Sequence, residues 1–231
     1  MSTDTVEVSA PEVTLCSLND AMSFAASRET FEIRKAVLCS RDGDKKDIYL
    51  VALRGTNRSF DKNDVLGVFP CIKAFQAKSN IYFEKVRREM LSLIPAKASV
   101  ALIGHSFGGM VAQQISADES IKSSFDLLNV LAMGSPYVPL GGRGCPLHRF
   151  VDKADVIPWI GHSIKANLKT DRPVFQSNGY FGRPLTAHSD SYRNGAKWRR
   201  YDPFGEPNGG RVIEVYDRCD KNSGTKFKVI K

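Results

Sequence analysis

The sequence predicts an α/β fold: a mostly parallel central sheet with helices on both faces and an antiparallel hairpin on its N-terminal side. Three observations carry that prediction. Short apolar runs that read as buried strands alternate with stretches of helical period between residues 47 and 151. One of these runs, residues 99–103, passes directly into a glycine-rich turn and then a helix. Nearer the N-terminus, two strand-like runs flank Asp42-Gly43, a two-residue hairpin signal.

Taken in order, residues 1–16 read as a loose lead-in. Ser17-Leu-Asn-Asp20 resembles a capping box, and Leu18, Met22 and Ala25 are spaced as a helix to about Ser27. Residues 31–39 and 47–53 are the hairpin strands, the second more buried and ending in the polar loop 54–58. Residues 59–77 contain Val65, Leu66, Val68, Phe69 and Ile72 without a clear period. The clearest amphipathic helix spans residues 78–94: Tyr82, Phe83, Val86, Met90, Leu93 and Ile94 share a stripe, and Pro95 stops it. After the strand at 99–103 and its turn, Met110, Val111 and Ile115 mark one face of a helix at 109–117. Residues 127–133 form another buried strand, ending in Gly134-Ser-Pro136, and residues 149–151 a short one. Residues 161–194 read as loop, with Pro173, Pro184 and several glycines. Residues 211–216 read as an edge strand, and residues 222–231 as a basic, peripheral end. The whole, 1–231, is expected to be one domain. The loops at Arg54, Gly104, Gly134 and Asp152 all follow strands, and the carboxyl ends of parallel strands are where such sheets hold reactive groups.

Composition narrows the function classes. At 42% hydrophobic and 25% charged residues the chain is an ordinary globular sequence, with no apolar run long enough to span a membrane. The first residues lack the basic patch and apolar core of a secretory signal, so synthesis in the cytoplasm without a cleaved signal peptide is expected, with export by a signal-independent route left open. The five cysteines are scattered, with no C-x-x-C pair, which gives no zinc site and no disulfide framework. A net charge of +8 reads first as a solvated basic surface without a partner, and otherwise suits anionic lipid or an acidic protein. No nucleic-acid motif accompanies it, and nucleic acid is not an expected partner.

The turn carries the chemistry. Gly104-His-Ser-Phe-Gly108 fits G-x-S-x-G, and strand, sharp turn and helix together make the pattern a nucleophile elbow. A side chain at either glycine would collide with a neighbouring strand or helix. The helix N-terminus behind Ser106 favours the negative charge that develops when an ester carbonyl is attacked. Gly161-His-Ser-Ile-Lys165 lacks the closing glycine and a leading strand, and is set aside. A serine hydroxyl needs an imidazole to take its proton and a carboxylate to orient that imidazole. Of the four histidines, His105 lies inside the elbow and points away from the serine, and His148 precedes the best acid. His162 is cramped against that acid, which leaves His188 as the expected base. Asp155, just past a strand, is the expected acid, with Asp152 as the alternative.

Five motifs in order across residues 45–192 resemble the class 3 lipase family of α/β hydrolases: Leu50-Val-Ala-Leu-Arg-Gly-Thr56, Gly104-His-Ser-Phe-Gly-Gly109, Met133-Gly-Ser-Pro136, Val151-Asp-Lys-Ala-Asp155-Val-Ile-Pro158 and His188-Ser-Asp-Ser-Tyr192. The resemblance implies an α/β-hydrolase fold and ester hydrolysis through an acyl-enzyme, with Ser106 as nucleophile, His188 as base then acid, and Asp155 as orienting carboxylate. It also implies an oxyanion hole of the Thr56 and Phe107 backbone amides, and no metal or organic cofactor. An acyl ester or lipid, phospholipid included, is the expected substrate, with transient contact to a membrane surface, and a neutralising protein partner if the protein is an effector. The chain departs from the family in having little room for a long lid helix between Thr56 and residue 78. Residues 159–181 are the alternative cover, with Trp159, Phe175, Tyr180 and Phe181 as candidates either to face an acyl chain or to pack in the core. Acyl transfer or thioester cleavage on the same three residues, and a non-catalytic binding protein on the same scaffold, are the rival readings.

Overall fold

The computed structural model describes residues 10–57, 61, 63–160 and 173–218. Eight strands run through them: β1 (Val13–Leu15), β2 (Phe31–Cys39), β3 (Lys45–Leu53), β4 (Ser99–His105), β5 (Asp126–Met133), β6 (Leu147–Asp152), β7 (Val174–Gln176) and β8 (Val212–Arg218). The α-helices among these residues are α1 (Leu18–Ala26), α2 (Val68–Phe75), α3 (Ile81–Leu93), α4 (Phe107–Ala117), α5 (Glu119–Ser124) and α6 (Pro184–Asn194). The strands make one sheet in the order β1-β8-β2-β3-β4-β5-β6-β7. From β3 to β7 every pairing is parallel. β2 and β3 form the expected antiparallel hairpin, and β8 and β1 extend it antiparallel.

The central strands read as continuous apolar runs because both of their faces are buried. On β4, Val100 and Leu102 face a cluster containing Tyr82, Val86 and Met90 of α3 and Met110, Val111 and Ile115 of α4. The intervening Ala101 and Ile103 face a second cluster with Leu18 and Met22 of α1, Tyr192 of α6 and Trp198. That period of two puts one helical layer on each side of the sheet. The capping box holds as well: the Ser17 side chain accepts from the Asp20 amide at the start of α1.

Five local expectations are corrected. Residues 13–15, inside the presumed lead-in, are a strand paired with β8. β8 is therefore interior rather than an edge, with Ile213 and Val215 fully buried. α4 begins at Phe107, two residues before the expected start. Helix α2 lies where no period was legible; at eight residues it is too short to display one, and Pro70 sits in its first turn, where a missing N–H costs nothing. Helix α6 occupies part of the presumed loop because Pro184 opens it rather than breaking it. No helix among the described residues is long and apolar enough to cross a membrane.

Candidate active site

Ser106 is placed by the elbow alone. Its backbone has φ 53° and ψ −120°, a region that non-glycine residues adopt only when their surroundings force it. Both glycines of the pattern are there for close approach. A Cβ on Gly104 would sit 2.5 Å from the Gly108 carbonyl carbon, and one on Gly108 would sit 2.3 Å from the Leu53 carbonyl oxygen. The Ser106 amide donates to Met133 O at 2.9 Å, which ties the turn to the end of β5. Phe107 is fully buried and meets Tyr82 of α3 edge-on, with ring centres 5.2 Å apart.

The other two predicted residues meet the serine from different elements. His188 stands on α6, and its Nε2 is 2.8 Å from Ser106 Oγ. Its Nδ1 is 2.9 Å from Asp155 Oδ2. The carboxylate can only accept, so Nδ1 carries the proton in the neutral ring and Nε2 is left to accept from the serine hydroxyl. Asp155 is completely buried beyond the end of β6 and is held on both oxygens: Ile157 N–H donates to Oδ1 at 3.0 Å, and Tyr192 Oη donates to Oδ2 at 2.7 Å. The alternative acid, Asp152, is engaged elsewhere, accepting from Ala154 N–H and from the backbone and side-chain amides of Asn178. His162 lies outside the described residues, as does Gly161-His-Ser-Ile-Lys165.

Three residues that the sequence reading gives no supporting role hold this arrangement. Tyr192 lies one turn beyond His188 on the same face of α6, and its hydroxyl both donates to Asp155 and accepts from Asp152 N–H at 3.0 Å. The i, i+4 spacing was the signal that could have found it. His105 has a partner on α6: Nε2–H donates to the His188 carbonyl at 2.9 Å, with the two rings 4.8 Å apart. Burial, reinforced by the neighbouring His188, pushes its pKa down to about 3, so the ring is neutral at neutral pH. Asn19 of α1 donates to the carbonyls of Tyr192, Arg193 and Gly195 and so anchors the C-terminal end of α6. A buried polar residue that caps another element leaves no local sequence signature.

Ser106 and His188 open into a cavity of about 390 Å³ lined mainly by apolar side chains from α2, α4, α6 and the segment after β6. Thr56 lines it too, with its hydroxyl donating to Leu66 O at 2.6 Å. Phe107 opens α4, so its N–H is among the first four of the helix, which have no acceptor within it. The four aromatic candidates for an acyl wall do not serve as one. Trp159 stacks on Phe175 with ring centres 5.1 Å apart, Phe181 is 71% exposed, and neither these nor Tyr180 lines the cavity. α2 supplies that wall instead. Among the described residues, no group of three or more His, Cys, Asp or Glu could hold a metal ion. Chemically, the arrangement offers a hydroxyl beside a base, a base beside a carboxylate, and a helix N-terminus behind the hydroxyl.

Against known proteins, the family described as PGAP1-like alpha/beta domain matches residues 75–139, which run from the end of α2 through the elbow to the loop after β5. No curated protein and no solved structure matches the chain. The family match and the sheet order agree on an α/β-hydrolase type of scaffold, without singling out the class 3 lipases.

Proposed function

We propose that this protein is a serine carboxylester hydrolase acting on apolar acyl esters. The observation that carries the reading is the position of one imidazole, within hydrogen-bond distance of Ser106 on one side and of Asp155 on the other. In the first half-reaction Ser106 Oγ bonds to the ester carbonyl carbon while its proton passes to His188 Nε2. The oxyanion so formed is stabilised by backbone amides, for which Thr56 and Phe107 are the candidates. The carbon–oxygen bond to the leaving group then breaks, and His188 returns the proton to the departing alkoxide. In the second half, water attacks the acyl-enzyme with His188 again as base, releasing the acid and restoring Ser106. Asp155 holds the ring in the required tautomer and stabilises the imidazolium.

Kinetics with p-nitrophenyl butyrate test this directly. Ser106→Ala is expected to lower kcat by about 10⁶-fold with the fold intact, as for removal of a triad member. Hydrolysis by the purified Ser106→Ala protein at the wild-type rate would overturn the proposal. Transient contact with a lipid surface belongs to the same proposal, because exposed Ile72, Ile160 and Leu185 surround the mouth of the cavity.

A further inference from the structure

The cavity beside Ser106 is a half-open space whose described wall is mainly apolar. Helix α2 builds one wall in two rows at i, i+4 spacing: Cys71 and Phe75 form the inner, partly buried row, and Ile72 and Gln76 form the outer, exposed one. Met110 of α4, only 2% exposed, lines the same space. No Lys, Arg, Asp or Glu occurs among the described lining residues; the polar groups there are Thr56, Gln76 and the reacting Ser106 and His188. A charged group entering such a space would lose its hydration without gaining a partner. The exposed apolar side chains, Ile72 at 49%, Ile160 at 48% and Leu185 at 57%, all stand at the mouth and come from three separate segments.

From this we infer that the site is built for a single acyl chain of about eight to twelve carbons, from an ester whose leaving group is uncharged, with the Cys71–Phe75 row setting the length. The inference rests on the ester-hydrolase reading and adds the substrate class to it. The size follows from volume. A space of about 390 Å³ holds roughly thirteen groups of the bulk of a water molecule or a methylene, at about 30 Å³ each. The scissile carboxyl and the first atoms of the leaving group occupy two or three of those places. Each methylene that still finds apolar wall adds about fourfold to kcat/KM, and each one beyond the inner end adds nothing or clashes. A side chain in the inner row therefore acts as a stop. Enlarging Cys71 shortens the accepted chain, and trimming Phe75 lengthens it.

The test is kcat/KM for p-nitrophenyl esters from acetate to palmitate, below their aggregation limits, with wild type, Cys71→Trp, Phe75→Ala and Ser106→Ala. A second arm compares monodecanoylglycerol with a decanoyl lysophosphatidylcholine. For wild type the expected profile climbs about fourfold per methylene to a maximum between eight and twelve carbons and then falls. Cys71→Trp is expected to move the maximum at least four carbons shorter, and Phe75→Ala at least two carbons longer. The uncharged glycerol ester should be cleaved at least tenfold faster than the phosphocholine ester. A maximum at acetate, a rise that continues to palmitate, a maximum that neither variant moves, or preference for the phosphocholine ester would each overturn the inference. Should Cys71→Trp fail to fold, Phe75→Ala carries the same decision in the opposite direction. Ser106→Ala separates the two levels: activity on every ester that survives in that variant contradicts the hydrolase reading itself, whereas activity that vanishes there while wild type shows the wrong length profile contradicts only the assignment of substrate.

Discussion

At the scale of single residues, the site depends on how Asp155 is held. A fully buried carboxylate needs donors, and this one has three: the Ile157 amide, the Tyr192 hydroxyl and His188 Nδ1–H. Asp155→Asn replaces one acceptor oxygen by an NH₂ and favours the wrong histidine tautomer. The expected result is a fall in kcat of about 10⁴-fold with KM little changed, read from steady-state ester hydrolysis. Tyr192→Phe keeps the ring, which stacks on Trp198 at 5.9 Å, and removes only the hydroxyl. That change leaves Asp155 with two donors and the Asp152 amide without its acceptor. It should lower kcat by about tenfold and reduce stability by roughly 1–3 kcal/mol, the cost of orphaned buried polar groups. Equal kcat in Tyr192→Phe and wild type would mean that the phenol supports packing alone. Gly134 belongs to the same construction: at φ 57°, a Cβ there would meet Tyr192 Cε2 at 2.8 Å and Asp155 Oδ2 at 3.0 Å.

At the scale of elements, two helices bear on the serine from different directions. α4 fixes it through the elbow, which is local and was therefore legible: glycine spacing, apolar strand and following helix lie in one short stretch of chain. α6 delivers His188, the proposed base, and its helical nature was not legible, because Pro184 and the glycines at 179 and 182 read as loop punctuation. His188 and Asp155 could still be put forward as base and acid, by the demands of the chemistry and their order in the chain rather than by secondary structure, and the structure brings both into line with Ser106. Helix α2, which walls the cavity, was hidden because eight residues display barely two turns of periodicity. α6 is held at its far end by Asn19, whose side-chain NH₂ donates to the Tyr192 and Arg193 carbonyls of the last turn and, more weakly, to that of Gly195 just beyond it. Asn19→Ala removes that anchor without touching the site. The expected outcome is a loss of roughly 2 kcal/mol in urea denaturation, together with a several-fold drop in kcat as His188 loses its fixed distance to Ser106. An unchanged kcat at full occupancy of the folded state would show that α6 is located by other contacts.

At the scale of the whole molecule, the mixed sheet brings the carboxyl ends of β3, β4, β5 and β6 to one edge, so that the Thr56, Ser106, Gly134 and Asp155 loops share a rim although they are distant in sequence. That gathering followed from the predicted parallel order. The antiparallel flank did not: the pairing of β1 with β8, and of β8 with β2, joins the two ends of the described chain, and no local pattern encodes a partner so far away. Stability of this whole is expected to depend on pH through His105. Its buried ring has a pKa pushed down to about 3, against an unfolded value near 6.5, so between those limits the unfolded chain binds the extra proton. Stability is therefore complete above about pH 6.5 and falls with acidification, by about 3 kcal/mol at pH 4 from this group. Denaturant midpoints at pH 7 and pH 4 should show that loss in wild type, and a smaller loss in His105→Phe, which cannot be protonated.

The central claim is that one imidazole activates one serine, and covalent labelling tests it most directly. Treatment with a fluorophosphonate followed by peptide mass spectrometry is expected to give a single adduct on Ser106, formed at least 10³-fold more slowly in His188→Ala. An adduct on another residue, no adduct at all, or labelling of Ser106 at the same rate without His188 would contradict the account.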